Sequence, residues 1–187
     1  LGAVVARYGA GLPVSLATPV ERVVWGGKGV ALETPNGTVR AHCAVITVST
    51  GILAARDIAF DPPLPLRKRE AILATPMGLL DKIALAFTPG TLDAEPGTRL
   101  LVRGEDGSLL YYLLRPFGTE MAIAFTGGRA AWALEAEGGA AAIDQALAGL
   151  GIALGSQVES GFDRGLATAW GEDDWTLGAY AHSLPGR

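Results

Sequence analysis

The stretch TPVERVVWGGKGVALETPNGTVRAHCAVITV, residues 18–48, decides how the chain begins to fold. VERVVW (20–25) is rich in β-branched and aromatic residues and runs into the glycine turn GGKG (26–29). VALET (30–34) follows, then Pro35-Asn36-Gly37, then TVRA (38–41). An Asn-Gly between two strand-like runs is a strong hairpin signal, because both residues tolerate the positive φ of a tight turn. CAVITV (43–48) is a continuous apolar run, the pattern of a strand buried on both faces. The reading is a three-strand meander that delivers the chain into a central buried strand.

Outward from this stretch the character changes. Residues 1–17 hold apolar positions without strict periodicity, and Gly9 and Gly11 argue against a stable helix. In FDPPLPLRKRE (60–70), Pro62, Pro63 and Pro65 exclude a helix or a central strand and force an extended crossing between domains. A short helix starts at 68–72. KIALAF (82–87), LLVR (100–103), SLLYYLLR (108–115) and MAIAFTGG (121–128) read as strands, with a hairpin turn at Glu105-Asp106-Gly107. Ile143, Leu147 and Leu150 then fall on one helical face, so helices are expected over 129–137 and 139–150, broken at Gly138-Gly139. QVESGF (157–162) and LATAW (166–170) read as further strand-like pieces. The fold class is α+β with a mixed or antiparallel sheet flanked by helices.

Composition limits the function. The 187 residues are 49% hydrophobic and 18% charged, which excludes a disordered chain and gives one domain or pieces of two. Fifteen Lys and Arg against 19 Asp and Glu give a net charge of −4, which argues against a nucleic-acid partner or an anionic membrane surface. Cys43, the one cysteine, rules out an internal disulfide, and no run of about 18 apolar residues spans a membrane. The chain opens without a signal-peptide pattern, which tilts the expected compartment toward the cytoplasm. It ends on a turn-like Pro-Gly, so both ends read as cuts through a longer protein.

Familiar catalytic signatures are missing. There is no G-x-S-x-G, no P-loop and no G-x-G-x-x-G: Gly9-Ala10-Gly11 is followed by Val14, and Gly149-Leu150-Gly151 by Leu154. His42 and His182 lack sequence partners and read as structural or solvent-facing. Lys82 opens an apolar strand, either as an edge residue snorkelling to water or as an amine that holds a water or a cofactor atom. Trp170, Trp175 and Tyr180 recur at spacings of five. They either cap a core or form an aromatic wall for a flat or cationic ligand.

Five segments taken together, TPVERVVW (18–25), the run 29–53, IAFDPPLPLRKREAI (58–72), MGLLDKIALAF (77–87) and WGEDDWTLGAYAH (170–182), resemble the flavin-containing amine oxidases in that order. That family includes monoamine oxidases, polyamine oxidases, L-amino-acid oxidases and lysine-specific histone demethylases. The resemblance covers nearly the whole chain and says nothing about which amine is oxidised. It implies a flavin (FAD) cofactor, a small-molecule amine substrate and O2. It implies that Val20 contacts the flavin's adenine side through its backbone, that Lys82 holds a water near flavin N5, and that Trp170 lies near the isoalloxazine ring. Tyr180 becomes one wall of an aromatic cage around the amine, with Trp175 in the same region. Ala179 stands where monoamine oxidases carry the cysteine that attaches the flavin, which implies a non-covalent flavin. The resemblance also divides the chain into part of an FAD-binding, Rossmann-like domain (1–51), a substrate domain (52–177) and a return toward the FAD domain (178–187). The family's glycine fingerprint and second cage aromatic are absent from this sequence. The rival expectations are a non-catalytic, partner-binding scaffold and a related flavin desaturase or porphyrinogen-type oxidase sharing the scaffold.

Overall fold

The computed structural model describes all residues except Leu1, Arg56, Glu105, Asp106, Ser108 and Arg187. Cα proximity divides the chain into two compact units, residues 1–46 with 56–68, and residues 47–55 with 69–187.

The first unit carries the meander. Helix α1 (Gly2–Gly9) forms despite its glycines and stops at the second of them, with no buried residue. Strands β1 (Arg22–Gly27), β2 (Gly29–Thr34) and β3 (Gly37–Ala41) then pair antiparallel in sequence order. Thr34 pairs with Gly37 across the Pro35-Asn36 turn, where Gly37 has φ +122°. Thr34 Oγ1 closes the turn by donating to the Gly37 carbonyl at 2.7 Å. At the other corner Gly29 (φ +100°) must be glycine twice over, since a Cβ there would lie 2.6 Å from the Ala41 carbonyl oxygen. A short strand β4 (Ala59–Asp61) adds to β1 in parallel, giving the order β3-β2-β1-β4. The side chains of Arg22 and Asp61 pair across it, and Trp25 Nε1 donates to the Pro62 carbonyl at 2.7 Å.

The expected buried strand at 43–48 is a correction. These residues form no ladder, and Val45 is 86% exposed. Apolar composition calls for burial, but a strand also needs a neighbour to satisfy its backbone, and no strand among the described residues offers one.

In the second unit, helix α2 (Thr50–Ala55) precedes helix α3 (Leu66–Leu73), which straddles the boundary between the units. A five-stranded antiparallel sheet follows. It is built from β6 (Leu80–Phe87), β7 (Arg99–Arg103), β8 (Leu109–Leu114), β9 (Met121–Gly127) and β10 (Phe162–Ala167), in the order β10-β6-β9-β8-β7. β7 and β8 pair as a hairpin requires, while Glu105 and Asp106 of the expected turn lie outside the described residues. Helices α4 (Gly128–Glu137) and α5 (Gly139–Leu154) break at Gly138, as expected, and cover one sheet face. The core lies between them, with Ile83, Leu85 and Tyr112 from the sheet against Ala146 and Leu150, all at 0% exposure.

QVES is not a strand but the single helical turn α6 (Gln157–Ser160), bracketed by Gly155 and Gly161, with Val158 fully buried. Beyond β10, residues 168–170 leave the sheet. A two-stranded ribbon, β5 (Met77–Gly78) with β11 (Tyr180–Ala181), completes this unit.

Candidate active site

The site is built where two segments about a hundred residues apart grip each other. In the MGLLDK segment (77–82), β5 pairs with β11, so Tyr180 opposes Gly78 and Ala181 opposes Met77. Ala179 N donates to the Gly78 carbonyl at 2.9 Å, and His182 N to the Pro76 carbonyl at 3.0 Å. Gly78 lets the Tyr180 ring lie close, since a Cβ at that position would come within 3.0 Å of it. At the other end of the segment, Thr168 N donates to the Lys82 carbonyl at 3.0 Å, and Lys82 N donates to Thr168 Oγ1 at 2.9 Å. The start of α2 joins the same place: Ser49 Oγ donates to the Thr176 carbonyl at 2.6 Å and accepts from Ile52 N, capping the helix.

Lys82 is not an edge residue. Its strand is interior, flanked by β10 and β9, and burial alternates along it: Asp81, Ile83 and Leu85 face the helices, while Lys82 faces outward. On that open face Lys82 pairs with Phe125 and Phe125 with Tyr111 in one row across three strands. Lys82 Nζ stands 6.0 Å from the Phe125 ring centroid, and the Phe125 and Tyr111 rings lie 5.5 Å apart. No ion pair engages the Lys82 amine among the described residues.

The three aromatic residues are all partly open to solvent. Trp170 is 37% exposed, Tyr180 49% and Trp175 72%. The Trp170 carbonyl accepts from Gly178 N at 2.7 Å and from Thr176 Oγ1 at 3.1 Å, which closes the 170–178 turn on itself. The structure thus holds Tyr180, and Thr168 two residues ahead of Trp170, to the segment that contains Lys82, with Trp175 in the same turn as Trp170. Val20 is half-buried in the first unit, just ahead of β1.

Sequence reasoning missed Asp81 and Glu135. Both are buried, at 3% and 8% exposure, and both line a cavity behind β6. Asp81 Oδ1 accepts from Thr168 Oγ1 at 2.8 Å, and Glu135 Oε1 accepts from Gly171 N at 3.0 Å. Burial pushes the Glu135 carboxyl above its ordinary range; the Gly171 N–H opposes this, and the Asp81 and Glu172 carboxylates add to it. The signal was available: Asp81 shares the alternation of Ile83 and Leu85, and Glu135 shares a helix face with Ala131. Among the described residues no acidic, histidine or cysteine cluster could hold a metal ion, and no helix is long and apolar enough to cross a membrane.

Comparison with known proteins adds to this geometry. The family model for flavin containing amine oxidoreductases matches residues 1–187. Lysine-specific histone demethylase 1 homolog 2 of Oryza sativa subsp. japonica is 31% identical over 185 residues, covering 92% of this chain and 24% of that protein. Polyamine oxidase 4 of the same organism is 29% identical over 182 residues, covering 95% and 36%. The chain thus spans about a quarter to a third of the length of these relatives. Among solved structures, a putrescine oxidase bound to putrescine superposes with a TM-score of 0.73 at 24% identity, over 97% of this chain and 40% of that one. Cyclohexylamine oxidase from Brevibacterium oxydans IH-35A gives a TM-score of 0.63 at 24% identity, over 90% and 37%. At those identities the two structures speak for the fold.

Proposed function

The chain belongs to the flavin-containing amine oxidoreductase family, and from that premise we propose that it is part of an FAD-dependent amine oxidase. A bound flavin would supply the acceptor for a hydride equivalent from the carbon next to the amine nitrogen, with O2 as the final electron acceptor, so that an amine would become an imine and O2 would become H2O2. The observation that supports this reading is the backbone pairing of the 77–82 segment, which holds Lys82, with Thr168 and with Tyr180, while Lys82, Trp170 and Tyr180 stay exposed.

The residues present suit such a cofactor and substrate. An amine with three donors, standing on an open sheet face beside an aromatic ring, can fix a water without crossing the hydrophobic core. That is the role we assign to Lys82. Trp170 offers an indole for packing against a flat ring, and Tyr180 offers a face toward a neutral or cationic amine. Trp175 flanks them in the same turn, and Val20 serves the adenine side through its backbone. Ala179 carries no nucleophile, so the flavin is held non-covalently. The meander and residues 178–187 belong, on this reading, to the FAD-binding part, and residues 52–177 to the substrate domain. The glycine-rich turn that would cradle a pyrophosphate is not in these 187 residues.

The test is the visible spectrum and peroxide yield of the protein expressed from its full reading frame. Flavin absorption that is released on denaturation, together with H2O2 formed on amines, is the expected result. A colourless protein, or oxidation of polyenes or porphyrinogens without amine turnover, would remove this reading.

A further inference from the structure

Two buried carboxyls, Asp81 and Glu135, line the cavity behind β6. Each has one oxygen engaged, Asp81 Oδ1 by Thr168 and Glu135 Oε1 by the Gly171 N–H. The other oxygen of each, Asp81 Oδ2 and Glu135 Oε2, is buried without a protein partner. Both side chains line this one cavity, and Asp81 lies near enough to act on the Glu135 carboxyl. An unpaired buried carboxylate oxygen is costly, and two facing carboxylates are worse. One proton cures both defects, because a protonated carboxyl donates to the carboxylate beside it.

We propose that Asp81 and Glu135 share one proton across these two oxygens, and that the resulting pair positions the active site by tying the Lys82 strand to the Trp170 turn. The connections are short. Asp81 adjoins Lys82, and Thr168, which donates to Asp81, also accepts from Lys82 N. Glu135 holds Gly171, the neighbour of Trp170. A Cβ at Gly171 would lie 2.5 Å from Glu135 Oε2, so the turn sits directly on the pair. The pair carries a total charge of −1, and its proton belongs to both groups.

The surroundings favour keeping that proton. β6 contributes Asp81, α4 Glu135 and the turn Glu172, while β9 and the segment after β10 contribute only the hydroxyls of Thr126 and Thr168. The α5 lining is glycine and alanine, and no described cavity residue is cationic. Because the Glu135 carboxyl is raised in the folded chain, its contribution to stability is fully present below the ordinary glutamate range. It is lost as pH rises through the folded value, when the proton leaves to solvent and two like charges face each other.

The proposal rests on the amine-oxidase reading only for the roles of Lys82 and Trp170, and the experiment separates the two. In the protein from its full reading frame, infrared spectra near neutral pH should contain a protonated-carboxyl C=O band that is missing from Glu135→Gln. In Glu135→Gln the amide donates to Asp81 without a titratable proton, so its thermal midpoint should stay level where that of the wild type falls with rising pH. Asp81→Asn serves the same purpose should Glu135→Gln fail to fold. Glu135→Ala should slow flavin reduction about tenfold or more, with Glu135→Gln restoring it. Absence of the band, or parallel pH profiles for wild type and amide variants, overturns the shared proton. A wild-type reduction rate in Glu135→Ala overturns the positioning role. Should Lys82→Met reduce its flavin at the wild-type rate while the band and the level profile persist, the lysine assignment falls and the carboxyl pair stands.

Discussion

Lys82 shows how one residue's meaning depends on its row. Its neighbours Asp81 and Ile83 point into the core, so the lysine must point out, and the outward row places Phe125 and then Tyr111 beside it. An amine in that setting is free to engage water and ligand, because neither an ion pair nor burial commits it. Replacing it with methionine keeps the length and apolar stem and removes only the cationic donor. We expect Lys82→Met to slow anaerobic flavin reduction at least about tenfold in the full-length protein, the scale of losing one positioned donor. Since the side chain leaves the core untouched, stability should change by no more than about 0.5 kcal/mol. Stopped-flow absorbance and a denaturation curve read the two effects separately, and unchanged reduction would end the lysine's assigned role. Lysine was visible in the sequence because an apolar strand that opens on a charge stands out. Asp81 was easier to overlook, because a charge next to a charge looks like one polar strand end, and its signal lies only in the alternation carried on to Phe87, which separates the two faces.

Elements that pack through a close approach depend on small residues. Tyr112 of β8 is fully buried, and its hydroxyl donates to the Ala146 carbonyl of α5 at 2.8 Å. Gly149, one turn on, makes room, for a Cβ there would run into the Tyr112 hydroxyl. Burial without a charged partner also pushes the Tyr112 phenol well above its ordinary range, so it stays a donor at any working pH. Tyr112→Phe should cost about 1 kcal/mol through the lost hydrogen bond, and Gly149→Ala about 1–3 kcal/mol through overpacking. With the hydroxyl gone the methyl has space, so the double variant should lose less than the sum, and strict additivity in urea unfolding would refute the contact. Sequence patterning reached β6 to β9 and the α4–α5 break because alternation and helical period are local signals. It failed at 157–160, where Val158 and Phe162 mimic a strand but Gly155 and Gly161 leave room for only one helical turn. It failed again at 43–48, where composition records a demand for burial and cannot say what meets it. The pairing of 77–82 with 168–182 had no local signal, since it joins segments about a hundred residues apart.

At the scale of the whole molecule, the two units have unequal cores. The second buries residues of both a sheet and its helices, with Ile83, Leu85, Leu114 and Ala124 at 0% exposure. Among its described residues the first buries only Val23 and Ala31 below a tenth, and every residue of β3 is exposed. Backbone hydrogen bonds resist opening in proportion to the apolar surface that must open with them, so equal ladders in the two units should not be equally protected. In amide hydrogen exchange of this chain, the slowest amides should lie in β6 and β9. Those of β2 and β3 should exchange more than about tenfold faster, a gap of about 1.4 kcal/mol in opening free energy. Residues 43–48, which have no ladder, should exchange earliest of the three groups, and their exposed valines give a surface for hydrophobic dye. Val45→Lys with Ile46→Lys should cut that dye binding while leaving β6 and β9 protection unchanged, because neither side chain belongs to the core cluster. Equal protection of β3 and β9 would mean that the thin sheet opens only with the thick one, and the two units would then unfold as one cooperative body.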